Sequence, residues 1–153
     1  KWNIYSIMDE KDERILDILK ENSKLSTQQI SKKTSIPITT VHHRTKKLEK
    51  EGIIKKYTVV LDSKKIGKPL SAYILIRVDY KLLKQIKKTH QDLVVKLASH
   101  PEVSEAATIT GATDIIVKVR VKDMDELNNV TEKYVRNLEG VDRTQTLVVL
   151  SEA

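Results

Sequence analysis

The side chains of this 153-residue chain best suited to chemistry are Thr39, Thr40, His42, His43, Arg44, Lys46 and Lys47. Their types and spacing exclude several chemistries. His42 and His43 are adjacent, so on a helix they diverge by about 100° and cannot chelate one metal ion together. No Ser-His-Asp set, His-Glu-x-x-His pair, phosphate-binding glycine loop or paired carboxylate arrangement stands out. With no cysteine, thiolate nucleophiles, disulfides and cysteine metal sites are absent. The run predicts no cofactor and no metal. What it can do is recognition. Hydroxyls and imidazoles bond base edges, while Arg and Lys neutralise phosphates. Charge placement points the same way. Residues 22–60 hold nine basic residues against two acidic, a surplus equal to the net +7 of the whole chain. Such concentration is the footprint of a polyanion, most often nucleic acid, although a solvated lysine surface gives the same count.

Presenting those side chains takes a supporting unit. Asp9 can cap a first helix whose opening turn carries Glu10, Asp12 and Glu13, favourable against the helix dipole. Met8, Asp12, Ile15 and Leu19 share its inner face, widened by Leu16 and Ile18. Asn22-Ser23 ends that helix, and Ser26 begins a second over Thr27 to Thr34 with only Leu25 and Ile30 inward. So short a helix must be held by its neighbours. Pro37 suits the first turn of a third helix, expected from Pro37 to Glu51 and stopped by Gly52. Val41, Thr45 and Leu48 point inward. Thr39, His42, His43 and Lys46 share the opposite face, flanked by Thr40, Arg44 and Lys47. Two helices joined by a tight turn, the second polar and basic outward, meet the demands of a major-groove reader.

The pattern Asp9-x-x-Asp12-x-x-Ile15-Leu16-x-x-Leu19-x-x-Asn22, then Leu25-Ser26, Ile30-Ser31, Val41-x-x-Arg44, Leu48-Glu49-x-x-Gly52-Ile53-Ile54 and Tyr57, resembles the Lrp/AsnC transcription factors. These are the leucine-responsive, or feast/famine, regulators, here of archaeal type. Ser35 stands where that family usually has a turn glycine, and Pro37 where it usually has a capping serine. Thr45 replaces a usual aliphatic residue. Ile54 to Leu61 reads as a strand leading away, for which the resemblance implies pairing with a second protomer.

Beyond the polar connection 63–70, Ser71 to Asp79 alternates as a strand with Ala72, Ile74, Ile76 and Val78 on one face. Leu82, Ile86, His90, Leu93 and Leu97 mark a helix that places His90 on an apolar stripe. His100, before Pro101, is expected to end a helix. Val103, Glu105, Ala107 and Ile109 suggest a second strand, and Ile115, Val117, Val119 and Val121 a third. Met124, Leu127, Val130, Tyr134 and Leu138 mark another helix, and Val141 to Leu150 a last strand. The order β-α-β-β-α-β is the ferredoxin-like unit, an antiparallel sheet with both helices on one face. Leu75 and Ile116 on the other face favour burial against a second copy. The expected fold is therefore α+β. A winged-type helix-turn-helix domain with strand linker occupies 1–62, and an effector-sensing and oligomerisation domain occupies 71–153.

The resemblance implies a homodimer, with tetramer and octamer as higher forms, and an amino acid or similar effector held near Gly111 and Asp114. Ala112 and Thr113 stand where the family often has an acidic residue and an aromatic. A plain hairpin turn with no ligand accounts for the same loop. Two other functions compete with DNA regulation. A sirohaem decarboxylase-like subunit has the same layout but would rest on His90, His100 and Arg120 alone. RNA binding by the sheet needs stacking aromatics, and the strands offer only Tyr73 and Tyr80. Composition bounds the rest. Charged residues make up 32% and hydrophobic ones 39%. No apolar run nears the roughly 20 residues of a membrane span, and Lys1 to Asp9 lacks a signal-peptide core. A cytoplasmic protein is expected. The Lys-, Glu- and Ile-rich, cysteine-free composition is of the kind found in heat-adapted proteins.

Overall fold

Capping side chains fix where the helices begin. In the computed structural model, which describes residues 8–151, the Asp9 carboxylate accepts the N–H groups of Lys11 and Asp12, and the Asp12 carboxylate returns a bond to the Asp9 amide. Helix α1 (Glu10–Glu21) starts there. The segment Lys1 to Asp9, expected to lack a signal-peptide core, lies outside the described residues except at Met8 and Asp9. Ser26 and Gln29 form the same reciprocal box, and α2 (Thr27–Thr34) has the predicted bounds. Helix α3 (Ile38–Lys50) follows, with Pro37 as the residue before it rather than inside it.

The chain divides into two compact units, Lys1–Val60 and Leu61–Ala153. In the first, Ile15, Ile30, Ile36 and Val41 form a buried cluster, with Ile18, Leu19 and Leu25 packed against it. The turn before α3 shows how the chain manages without the usual glycine. Ser35 sits in the left-handed region at φ 56°. Its neighbours fix the turn: Ser31 donates its hydroxyl to the Ile36 carbonyl (2.6 Å), and the Arg14 guanidinium donates to the Thr34 carbonyl. An L-residue there costs about 1–2 kcal/mol, partly offset by the unfolded-state freedom a glycine would add, about 0.4–1 kcal/mol. Ser35→Gly is therefore expected to stabilise the unit by about 0.5 kcal/mol, raising its thermal midpoint by roughly 2–4 °C. A melting curve shifted downward would show that Ser35 makes a contact the turn needs.

The second unit is the four-stranded antiparallel sheet predicted, in the order β2-β3-β1-β4. Its strands are β1 (Leu70–Val78), β2 (Val103–Thr108), β3 (Ile115–Val121) and β4 (Val141–Val148). Ala72, Ile74 and Ile76 of β1 and Ile115, Val117, Val119 and Val121 of β3 are fully buried in one core with Leu93, Leu97, Leu127 and Val135. Leu75 pairs with Ile116 on the opposite face, as the alternation requires. Among the described residues no helix is long and apolar enough to cross a membrane.

Four local readings change. The single helix expected through Leu82 to Leu97 is two, α4 (Tyr80–Gln85) and α5 (His90–Ala98). Lys87 turns left-handed at φ 54°, and Thr89 opens a fresh capping box with Asp92. That break puts His90 in the first turn of α5, exposed rather than on the apolar stripe. In β2 a register shift between Val103 and Glu105 makes Val103 and Ala106 pack on the core, in place of the strict alternation expected. The later helix is α6 (Met124–Asn128) followed by a wide π-type turn, Asn129–Tyr134, and a tight turn, Val135–Asn137. Lastly, Ile54 to Leu61 forms no strand. A strand needs a neighbour's backbone groups, and the described residues supply none there. Val60 is 99% exposed.

Candidate nucleic-acid interface

Helix α3 is anchored by Val41 and Leu48, which are 0% and 1% exposed. Thr45 lies between them, half-buried, and its hydroxyl Oγ1 is buried without a hydrogen-bond partner. This fits a position where an aliphatic side chain would serve better. With that side committed, Thr39, His42, His43, Lys46 and Lys47 emerge exposed on the other, with Thr40 half-buried beside them. The His42 and His43 rings meet edge to face, 5.8 Å apart at 72°. Five of the seven predicted recognition residues are thus exposed together. Lys32 and Lys33, also exposed, end α2.

Arg44 does not share their exposure. Read as a phosphate contact, it turns instead toward α1, where Nη1 donates to Asp9 Oδ1 at 2.6 Å and to Asp12 Oδ1 at 2.9 Å. The Asp12 side chain is only 3% exposed and that of Arg44 is 25% exposed. The guanidinium's hydrogen bond is the leading cause that holds the Asp9 carboxyl below the ordinary carboxylate value. Arg44 therefore fixes α3 on α1 rather than reaching outward. Asp9, Asp12, Arg44, Thr40, His43 and Lys47 line a cleft of about 500 Å³ beside this bridge.

Sequence reading missed a second network. Glu49, on the last turns of α3, accepts a hydrogen bond from Lys46 Nζ through Oε2 (3.0 Å) and from the Tyr57 hydroxyl through Oε1 (2.9 Å). Lys47 lies 3.9 Å from Glu51. The i, i+3 spacing of Lys46 and Glu49 was legible as a helix pair. Tyr57 stood in the family pattern, but nothing in the sequence tied it to Glu49.

In the second unit, Gly111 adopts φ 127° in an exposed turn. Asp114 is engaged within the fold: Oδ2 accepts the Val78 N–H at 2.8 Å and Oδ1 accepts the Tyr80 hydroxyl at 2.9 Å. The loop beside Gly111 is thereby tied to the end of β1 and to Tyr80. That bond pushes the Tyr80 phenol up from its ordinary value. His100 lies just past α5, its ring 4.3 Å from that of Tyr134, and its Nδ1 accepts the Glu102 N–H at 3.2 Å. Among the described residues no group of three or more His, Asp or Glu side chains could hold a metal ion.

Known proteins share both units. Residues 8–55 match the winged helix-turn-helix DNA-binding family, and residues 71–153 match the Lrp/AsnC ligand binding domain. The HTH-type transcriptional regulator FL11 of Pyrococcus furiosus is 36% identical over 144 residues, spanning 94% of this chain and 90% of that protein. Its Pyrococcus horikoshii namesake is 34% identical over 143 residues, spanning 94% and 89%. Among solved structures, a Neisseria meningitidis transcriptional regulator in complex with L-Met superposes with a TM-score of 0.84 at 25% identity, covering 95% of this chain and 91% of that one. Escherichia coli AsnC gives 0.81 at 26% identity, covering 95% and 93%.

Proposed function

The chain belongs to the Lrp/AsnC family of DNA-binding transcriptional regulators, and we propose that a homodimer of it reads a pseudo-palindromic duplex through the outward faces of its two α3 helices. Its relatives are named as regulators. It is a regulator rather than an enzyme, which closes the sirohaem decarboxylase alternative. One observation carries the mode of reading: Thr39, His42, His43, Lys46 and Lys47 are exposed together on a helix whose other side is packed on its own unit. Thr39, Thr40, His42 and His43 read base edges, while Lys46, Lys47, Lys32 and Lys33 meet phosphates. Work on duplex DNA supports a cytoplasmic location.

Dimer formation is supported by apolar surface that one chain leaves uncovered. Val59, Val60 and Leu61 are 68%, 99% and 58% exposed on the segment expected to pair with a partner's strand. Leu75, Ile116 and Leu147 lie on the outer sheet face. Selection of bound sequences from a random duplex pool is expected to return two inverted half-sites centred about one helical turn, 10–10.5 base pairs, apart. Enrichment of single half-sites would remove the dimeric mode, and no enrichment would remove base reading by α3.

The L-Met complex of the Neisseria relative supports an amino-acid effector in the second unit, near Gly111 and Asp114. Asp114 already accepts one bond on each oxygen, so an effector's ammonium group would share this carboxylate with the Val78 amide and the Tyr80 hydroxyl through the remaining lone pairs. Useful switching requires about 1–3 kcal/mol of differential affinity between states. Calorimetry against the twenty amino acids detects such a ligand, and the absence of heat from all of them would leave the plain hairpin.

A further inference from the structure

The DNA-facing side of α3 carries its own anion. Glu49 lies one turn beyond Lys46 and within its reach at 3.0 Å, a tighter pair than Lys47 with Glu51 at 3.9 Å. Its second carboxylate oxygen is fixed by the Tyr57 hydroxyl at 2.9 Å, so the carboxylate is held from two sides. The Glu49 side chain is 29% exposed, whereas that of Lys46 is 64% exposed and free to leave for a phosphate. The bonds from Lys46 and Tyr57 hold the Glu49 carboxyl below its ordinary value. The anion is present wherever the protein works near neutral pH.

We propose that Glu49 is a built-in competitor for the phosphate-binding cation Lys46, positioned by Tyr57. The inference rests on the reading of α3 as the DNA-facing helix. The physics is ion exchange. A lysine that meets a phosphate releases a condensed counterion from DNA, which steepens the fall of affinity with salt. Where that lysine first leaves a carboxylate, the carboxylate takes up a cation from solution, and the two exchanges largely cancel. Lys46 then contributes contact but little salt dependence, and Glu49, left facing phosphate, adds like-charge repulsion. Tyr57 lies on the segment between α3 and the linker. Any rearrangement of that segment on pairing with a second protomer changes the hold on Glu49, and so the charge that α3 offers. Glu49 is a positioning residue in this scheme, because it acts on DNA through Lys46.

Salt titrations of the full chain against a mixed-sequence duplex of about three helical turns test the scheme, since non-specific binding is electrostatic. Glu49→Gln is expected to raise affinity several-fold at moderate salt and to steepen the log K–log[salt] slope by about two per dimer, one per protomer. Lys46→Gln alone is expected to weaken binding while leaving the slope near the wild-type value. Added to Glu49→Gln, it removes the extra steepness. Tyr57→Phe is expected to change nothing further once Glu49 is Gln, the non-additivity of a shared network. Thermal melting confirms that each variant is folded, and if Glu49→Gln is not, the Lys46→Gln slope decides alone. An unchanged slope in folded Glu49→Gln, or a slope flattened by about two in Lys46→Gln alone, overturns the competitor. A wild type without salt-dependent duplex binding overturns the DNA-facing reading of α3 along with it.

Discussion

Affinity of this protein for duplex DNA is expected to fall about 10³- to 10⁴-fold between 0.05 and 0.2 M salt. The cations assigned to phosphates are Lys32, Lys33, Lys46 and Lys47, exposed on α2 and α3, four per protomer and eight per dimer. Eight phosphate contacts correspond to a slope near −7, and cancellation at the two Lys46 positions brings it to about −5. Arg44 is absent from this set because its guanidinium is committed to Asp9 and Asp12. Lys47→Ala is expected to flatten the slope by about one per protomer and to weaken all duplexes alike, since a phosphate contact carries no sequence information. Replacing His43 or Thr39 is expected instead to relax discrimination at a base position, at about 1–3 kcal/mol per lost base contact, with the slope retained. A slope near zero in the wild type would remove the electrostatic basis of binding altogether.

How far the sequence foretold this arrangement depends on the range of the interactions concerned. Local chemistry was legible. Ser26 with Gln29 set the start of α2, and Thr34 with Ser35 set its end, because capping and turn geometry act within four residues. Alternation likewise disclosed β1 and β3, whose inner faces are fully buried. The α4–α5 break was legible in principle from Thr89 and Asp92. A coincidental helical period through Ile86 and His90 concealed it. Interactions across the unit were not legible. Asp9 and Asp12 served as cap and inner-face residues in the pattern, and nothing in their spacing tied them to Arg44, more than thirty positions on. Tyr57 and Glu49 are separated by a turn whose path the sequence does not define. The expected strand through Val59 and Val60 fails in one chain for a different reason. Among the described residues no neighbouring strand offers it hydrogen-bond partners. The outward face of α3 was therefore readable from periodicity, while the network deciding which of its cations are available was not.

Arg44→Ala is expected to destabilise the helical unit by about 3 kcal/mol, the lower part of the range for breaking a buried ion pair, and to lower its thermal midpoint by more than about 10 °C. The lower part applies because Arg44 is 25% and Asp9 55% exposed, so solvent screens one arm of the bridge. The larger share comes from Asp12, 3% exposed, whose carboxylate would be left buried with, among the described residues, only the Asp9 amide as partner. Asp12→Asn in the Arg44→Ala background keeps an acceptor for that amide and removes the unpaired charge. It is expected to restore part of the loss, so the two changes are not additive. Acid titration supplies an independent readout. The Asp9 carboxyl is lowered chiefly by its hydrogen bond from Arg44, so it contributes stability above its unfolded value that is lost as pH falls through the lower folded value. In Arg44→Ala that leading cause is gone, and this share of the acid-dependent loss disappears. On DNA, the folded fraction of the variant is expected to keep the wild-type salt slope. A flattened slope at unchanged thermal stability would return Arg44 to the phosphate-binding set and leave α3 without its fastening to α1.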